Sequence, residues 1–377
     1  MFNLIAKIFV FLLIIVSPSL ASYIDTDAEM AVVIDAYTGK VLFEKNKDKK
    51  TYPASMTKIM TTLIVFEKLS NGTLTLDDKF LVSERAWKER EGSSMFVEVD
   101  KEIRVEDLLR GIIVQSGNDA CIVIAENIAG TEDAFAKMMT DKGIEIGLKN
   151  TNFTNSTGMH NPKNYSTVHD IAILSQYLIN EFPEYYHLFA ETEFEWSGIK
   201  QKNRNPLLYK NMGADGLKTG HLSKSGYGLA ASAIENNRRI ISVTNGFASK
   251  QKRSQGSSRL ITWAFREFDN VELFQKNSEV GVVSIKGANK TESSVSSIDQ
   301  ILITVAKSKK DAINYRILPI DVRAPLKSGD IAAQLEVIIP KEEPMYFDLS
   351  ATNDVKQTNF IMRFINMIYN FILSLFA

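Results

Sequence analysis

The stretch Asp215–Phe247, "DGLKTGHLSKSGYGLAASAIENNRRIISVTNGF", decides how the rest of the chain is read. It holds three short runs of strand character, and the last two are joined by Asn236-Asn237, a pair suited to a tight hairpin. A basic segment from about Ser249 to Phe268 follows with helical character. Upstream, "MAVVIDAYTGKVLFEKN" (Met30–Asn46) reads as two more strands around the turn Tyr37-Thr38-Gly39. Between these strand regions the pattern is helical. Met56, Ile59, Met60, Leu63 and Phe66 recur at helical spacing after Pro53-Ala54. "VEDLLRGIIV" and "ACIVIAENIAG" predict two further apolar helices, separated by the polar break Gln115-Ser116-Gly117-Asn118-Asp119. Residues 150–165 are rich in Asn, Thr and Gly and predict a loop; "STVHDIAILSQYLIN" resumes as a helix capped at Ser166 or Thr167. Helices packed on an antiparallel sheet, an α+β arrangement, are the expected outcome.

Past Asp269 the pattern changes to short alternating runs such as "VGVVSIKG", "ILITVAKS" and "AAQLEVIIP". Residues 270–350 are expected to form a separate small all-β domain, with 351–358 as a linker and 22–269 as the main domain. The two ends read differently. Residues 1–21 carry one early lysine, Lys7, then the apolar run Ile8–Val16 and the small residues Ser19-Leu20-Ala21. That run is short for a membrane span and fits a cleaved secretory signal. In "NFIMRFINMIYNFILSLFA" (359–377), Asn359, Arg363, Asn366, Asn370 and Ser374 fall every three to four positions. On a helix turning ~100° per residue they form one polar stripe on an otherwise apolar surface, as an amphipathic helix lying in a membrane interface requires.

Composition narrows the class of function. The chain has 377 residues, 45% of them hydrophobic, and a formal net charge of -1, so nothing points to nucleic acid. Its single cysteine, Cys121, rules out an internal disulfide framework. Only four histidines occur, with no H-E-x-x-H or His-x-His pair, which argues against a zinc peptidase.

Chemistry enters at "YPASMTKIMT" (52–61), where Ser55 and Lys58 stand three residues apart as an apolar helix begins. Residues at that spacing share a helical face. A serine hydroxyl needs a neighbour to take its proton, and a lysine does so only when burial or nearby positive charge lowers its pKa. Alone, the pair fits a helix cap followed by a solvated lysine better than it fits catalysis. Two further elements change that balance. Ser116-Gly117-Asn118 lies in the break between helices, where side chains can project into a cleft. Lys218-Thr219-Gly220, followed by His221, sits in an expected strand, whose backbone could pair with a peptide while Lys218 and Thr219 hold a carboxylate. Glycine at 220 removes a side chain that would block close approach.

The order S-x-x-K, S-x-N, K-T-G resembles the active-site serine penicillin-recognising enzymes. Within them the chain is similar to low-molecular-mass penicillin-binding proteins that act as D-alanyl-D-alanine carboxypeptidases, from about Met30 to the C-terminus and including "PASMTK", "SGNDAC" and "DGLKTGH". The resemblance implies a serine β-lactamase/transpeptidase-like domain, then a small all-β domain and a C-terminal amphipathic helix. It implies Ser55 as nucleophile and Lys58 as general base. Ser116 would relay a proton to the leaving amine, and Asn118 would hydrogen-bond the substrate peptide. Lys218 would support the proton network and, with Thr219, hold the terminal carboxylate, and the Ser55 and His221 N–H groups would form an oxyanion hole. Arg253 and Arg204 are further candidates for carboxylate binding. Cys121, His169 and His187 are expected to serve structure, and His160, in a loop that differs from the family's usual pattern, is given no role. No metal or organic cofactor is implied. The implied partners are peptidoglycan stem peptides, β-lactams as covalent inhibitors, and a membrane surface touched by 359–377. The implied location is the periplasmic face of a bacterial inner membrane.

Three alternatives share parts of this pattern. A β-lactamase of class A carries a glutamate in the loop after S-D-N, whereas "NSTGMHNPKNYS" has no acid and the motif here is S-G-N. A D,D-endopeptidase would use the same site. A non-catalytic peptidoglycan scaffold would have no need of Ser55, Lys58, Ser116 and Lys218 together.

Overall fold

The computed structural model describes residues 24–89, 91–288 and 292–357. The expected leader, 1–21, and the expected amphipathic tail, 359–377, lie outside them. The chain opens with a hairpin of β1 (Met30–Asp35) and β2 (Val41–Lys45). A 3₁₀ turn, Ala54–Thr57, runs directly into α1 (Lys58–Ser70). A two-stranded ribbon, β3 (Lys79–Leu81) and β4 (Glu102–Arg104), brackets the short α2 (Glu84–Lys88), and α3 (Val105–Arg110) follows. Then come α4 (Asn118–Ala129), α5 (Glu132–Glu145), α6 (Val168–Glu181), α7 (Pro183–Tyr186) and a ribbon of β5 (Glu193–Trp196) with β6 (Ile199–Lys202). The deciding stretch forms β7 (Ala214–Leu222), β8 (Gly226–Glu235) and β9 (Arg238–Phe247), closed by α8 (Lys250–Glu267).

The main sheet is antiparallel throughout, in the order β2-β1-β9-β8-β7. Asn236 and Asn237, both with positive φ (50° and 61°), make the β8–β9 hairpin as their residue type predicts. All six residues of β1 are buried, because helices cover both faces. Met30, Val32 and Ile34 pack with residues of α1, α4 and α6, while Ala31 and Val33 pack with Leu260, Ile261 and Ala264 of α8. Alternation along the strand thus sorts side chains between two cores rather than between core and water. Helix α1 runs through the larger core with Ile59, Met60, Leu63, Ile64 and Phe66 essentially inaccessible to solvent. Each such side chain contributes about 1.5–3 kcal/mol of burial free energy, which anchors the residues at its first turn.

One predicted helix is shorter than its apolar pattern. α3 ends at Arg110 and widens into a π turn, Gly111–Gln115, that stops at Ser116 in the left-handed conformation (φ 63°). Such π turns break a helix locally and re-aim the residues beside them.

The second unit consists of β10 (Phe268–Phe274), β11 (Glu279–Ser284), β12 (Glu292–Ser297), β13 (Ile301–Ala306), β14 (Asn314–Pro319), β15 (Ile331–Ile338) and β16 (Met345–Ala351). A five-stranded sheet, β11-β12-β16-β15-β14, and the ribbon β10–β13 enclose a separate core that includes Val295, Val305, Leu335 and Leu349. This unit is joined to the β1–β2 end of the main sheet. Asp35, wholly buried, pairs with Arg238 at 2.9 Å and accepts from Asn270 at 3.3 Å. Thr38 and Thr304 share a hydrogen bond of 2.6 Å, and the Lys40 ammonium donates to the Thr304 carbonyl at 2.9 Å.

Candidate active site

Four segments converge at the start of α1. Ser55 stands inside the 3₁₀ turn, one residue after Ala54, which adopts a positive φ of 50°. A non-glycine residue held there costs about 1–3 kcal/mol and is characteristic of functional sites. Lys58, the first residue of α1, is completely buried. Its ammonium donates to Ser55 Oγ at 3.1 Å, Asn118 Oδ1 at 2.7 Å and the Thr157 carbonyl at 2.6 Å, which uses all three of its protons. The plain reading of the Ser55–Lys58 pair therefore does not hold: the serine does not cap the helix, and the lysine is not solvated.

The second segment is the break between α3 and α4. Ser116 is carried into the cleft by its left-handed backbone, and its Oγ makes no hydrogen bond among the described residues. Asn118 is held on three sides. Oδ1 accepts from Lys58, Nδ2 donates to the Glu91 carbonyl at 2.8 Å, and its N–H donates to the Ser93 carbonyl at 2.7 Å. One Nδ2 proton remains free for a ligand.

The third segment is β7, an edge strand whose outer side has no partner strand among the described residues. Lys218 is buried, and its Nζ has no hydrogen-bond partner among the described residues. At Gly220 a Cβ would come within 2.8 Å of the Pro53 carbonyl oxygen and 3.3 Å of Ala54 Cβ, so glycine is what lets the strand lie against the serine turn. The fourth segment is one that the sequence patterns mark as a loop but give no part in the site. It is the loop Asn155–Met159, where Gly158 has a φ of 80° and a Cβ would sit 1.9 Å from the Ala54 carbonyl oxygen. Its contribution is a backbone carbonyl, that of Thr157, which every residue type carries, so no residue pattern advertises it. Glu91 and Ser93 escape notice for the same reason.

Together these segments enclose a cleft of about 630 Å³ whose lining includes Ser55, Ser116, Asn118, Thr219, Arg204 and Arg253. Its charge is mainly cationic, with Arg204, Lys250 and Arg253 in the lining and Glu91 as its one acidic residue. Arg253 is 6% exposed, and its Nε is buried without a partner among the described residues. Burial pushes its guanidinium down to about 10. Arg204 stands exposed at the rim and donates to Ser93 Oγ. Burial lowers the pKa of Lys58, with Arg204 adding to the effect. Burial also holds Lys218 well below the ordinary lysine range, reinforced by the Lys58 and Arg204 charges. His221 is exposed, with its ring stacked on Tyr227. Its pKa is lowered by partial burial and then by Arg253 and Lys250. Cys121 lies in the core behind the site, and burial raises its thiol to about 12, which leaves it protonated and inert. His160 stays outside the cleft lining and takes a hydrogen bond of 3.1 Å from Lys224. No three histidine, cysteine or carboxylate side chains come together as metal ligands among the described residues.

A serine and an amine in contact, inside a cationic cleft between a helical layer and a free strand edge, can transfer an acyl group from a substrate that ends in a carboxylate. That combination on this fold defines a penicillin-recognising serine peptidase. Comparison with known proteins gives the family. The D-alanyl-D-alanine carboxypeptidase profile matches residues 17–248, and that of the penicillin-binding protein 5 C-terminal domain matches 268–357. D-alanyl-D-alanine carboxypeptidase DacA of Haemophilus influenzae is 34% identical over 87% of this chain and 85% of its own length. The crystal structure of penicillin binding protein 5 from H. influenzae superposes with a TM-score of 0.84 at 33% identity, covering 89% of this chain and 99% of that one. The carboxypeptidase DacD from Francisella tularensis gives a TM-score of 0.78 at 31% identity, over 90% and 96% of the two chains. The chain belongs to the D-alanyl-D-alanine carboxypeptidase family.

Proposed function

We propose that this carboxypeptidase removes the terminal D-alanine from peptidoglycan pentapeptide stems through an acyl-enzyme on Ser55, and that β-lactams trap it at that stage. The observation that carries this reading is the fully buried Lys58 amine 3.1 Å from Ser55 Oγ. When neutral, Lys58 takes the Ser55 proton as Oγ bonds to the penultimate D-alanyl carbonyl carbon. The carbonyl oxygen becomes an oxyanion, received by the backbone N–H groups of Ser55 and His221. As the intermediate collapses the C–N bond breaks, and Ser116, backed by Lys218, passes a proton to the departing amine. Water then attacks the ester and restores Ser55. Asn118 uses its remaining amide proton on the substrate peptide, which lies along the free edge of β7 across Gly220. Thr219, Lys218 and Arg253 hold the terminal carboxylate, with Arg204 at the rim; the unpartnered Arg253 Nε supports this assignment.

Mass spectrometry of the penicillin-treated protein tests the reading. One stable adduct is expected on the peptide containing Ser55. An adduct elsewhere, or penicillin hydrolysed without a trapped species, would overturn it.

The same reading places the enzyme outside the cytoplasm, delivered by a signal in residues 1–21 and held peripherally on the inner membrane by 359–377. No helix among the described residues is long and apolar enough to cross a membrane. Deleting 359–377 is expected to move the protein from the membrane pellet to the soluble fraction while leaving release of D-alanine from a diacyl-D-Ala-D-Ala peptide intact. A truncated protein that still pellets would rule out the tail as anchor.

A further inference from the structure

Glu132, in the first turn of α5, is a buried carboxylate with no part in the chemistry described so far. Its Oε1 accepts from Ser156 Oγ at 2.6 Å and from the Ser156 N–H at 3.0 Å. Its other oxygen pairs with Arg85, which is shared with Glu126. The Ser156 carbonyl accepts from Thr61 Oγ1 at 2.6 Å, and Thr61 lies close to one turn beyond Lys58 on α1. The next carbonyl in the chain, that of Thr157, accepts from the Lys58 ammonium at 2.6 Å. One carboxylate thus grips the outer side of a loop whose inner side holds the amine beside Ser55.

We infer that Glu132 is a positioning residue for acyl transfer: by fixing Ser156 it sets the Thr157 carbonyl where it accepts a hydrogen bond from Lys58 as that amine takes the proton of Ser55. The inference rests on the role proposed for Lys58. The step creates a buried ammonium in a cleft already crowded by Arg204 and Lys218, so a carbonyl already in place stabilises the charge without reorganisation. Glu132 also acts on Lys58 through its negative charge, as Asp119 does, and both favour the ammonium. The two effects can be separated. The substitution Glu132→Gln keeps an acceptor for Ser156 and loses the charge, whereas Glu132→Ala loses both.

The experiment measures the rate of acylation by a fluorescent penicillin against pH for wild type, Glu132→Gln and Glu132→Ala, with thermal melting alongside. Removing the charge lowers the pKa of Lys58, so the acid limb of the profile is expected to shift to lower pH in both variants. The plateau rate is expected to fall about 10- to 100-fold in Glu132→Ala, the scale of a misplaced reacting group. In Glu132→Gln it should stay within about threefold of wild type. Equal plateaus in wild type and Glu132→Ala, or equal losses in both variants with the acid limb unmoved, would overturn the inference. Where Glu132→Ala fails to fold, Ser156→Ala decides. It keeps the backbone bond to Glu132, so a loss of about two- to tenfold in plateau rate supports the inference, and an unchanged rate refutes it. Wild type that is not labelled at Ser55 at all is a different result and counts against Lys58 and Ser55 themselves.

Discussion

Lys58→Ala is expected to lower the rate of acylation by penicillin, and the release of D-alanine, by about 10²–10⁴-fold, the usual contribution of a positioned proton acceptor. The protein should remain folded enough to be compared, since Lys58 costs the fold a desolvated charge and offers in return only its three hydrogen bonds. The pH dependence follows from the direction of the shift. Burial places the Lys58 pKa below that of an ordinary lysine, so the neutral, proton-accepting form gains population at lower pH than it would in water. Acylation by wild type should therefore rise with pH through the lowered Lys58 pKa and then level off. In Lys58→Ala this limb should vanish. Lys58→Arg is the informative companion: it keeps the positive charge but cannot give up its proton in the accessible range, and should be as slow as the alanine variant. An arginine variant as fast as wild type would mean that position 58 supplies charge rather than basicity.

The second large effect is expected at Gly158. An alanine there meets two obstacles. A left-handed backbone costs a non-glycine residue roughly 1–2 kcal/mol, and the new methyl would lie 1.9 Å from the Ala54 carbonyl oxygen. Backbone cannot yield as a flexible side chain would, so the loop must move away from the serine turn. That movement withdraws the Thr157 carbonyl from Lys58 and disturbs Ala54, the neighbour of Ser55. Gly158→Ala should lose about 100-fold in acylation and melt lower, by roughly 2–4 °C for each kcal/mol lost in a domain of about 150–250 residues, the size of the main one. Full acylation in this variant would show that the loop is not needed to hold the site together.

These two positions also mark how far the sequence can be read. The three motifs are visible because they depend on side-chain chemistry: three hydroxyls, two amines and an amide, spaced so that a helix start, a helix break and a strand can carry them. The sheet is visible for a related reason. Asn236-Asn237 needs a hairpin, whereas the cover on both faces of β1 is seen only once the helices are packed. Much of what completes the site is invisible, because it is backbone. The carbonyls of Glu91, Ser93 and Thr157 would serve equally well from almost any residue. The π turn escapes a sequence reading because Gly111–Gln115 keeps a helical apolar pattern while its geometry changes. Arg253 looks like one cation among Lys250 and Lys252. Its burial, with Nε unpartnered, emerges only once α8 is packed against the sheet.

The place where the β unit joins has its own consequence. Asp35, Thr38 and Lys40 belong to the β1–β2 end of the main sheet, whereas the cleft opens along β7 at the opposite edge. Three to four strand spacings of about 4.8 Å, roughly 14–19 Å in all, separate them. A load applied to the β unit would therefore enter the sheet at the edge away from the serine.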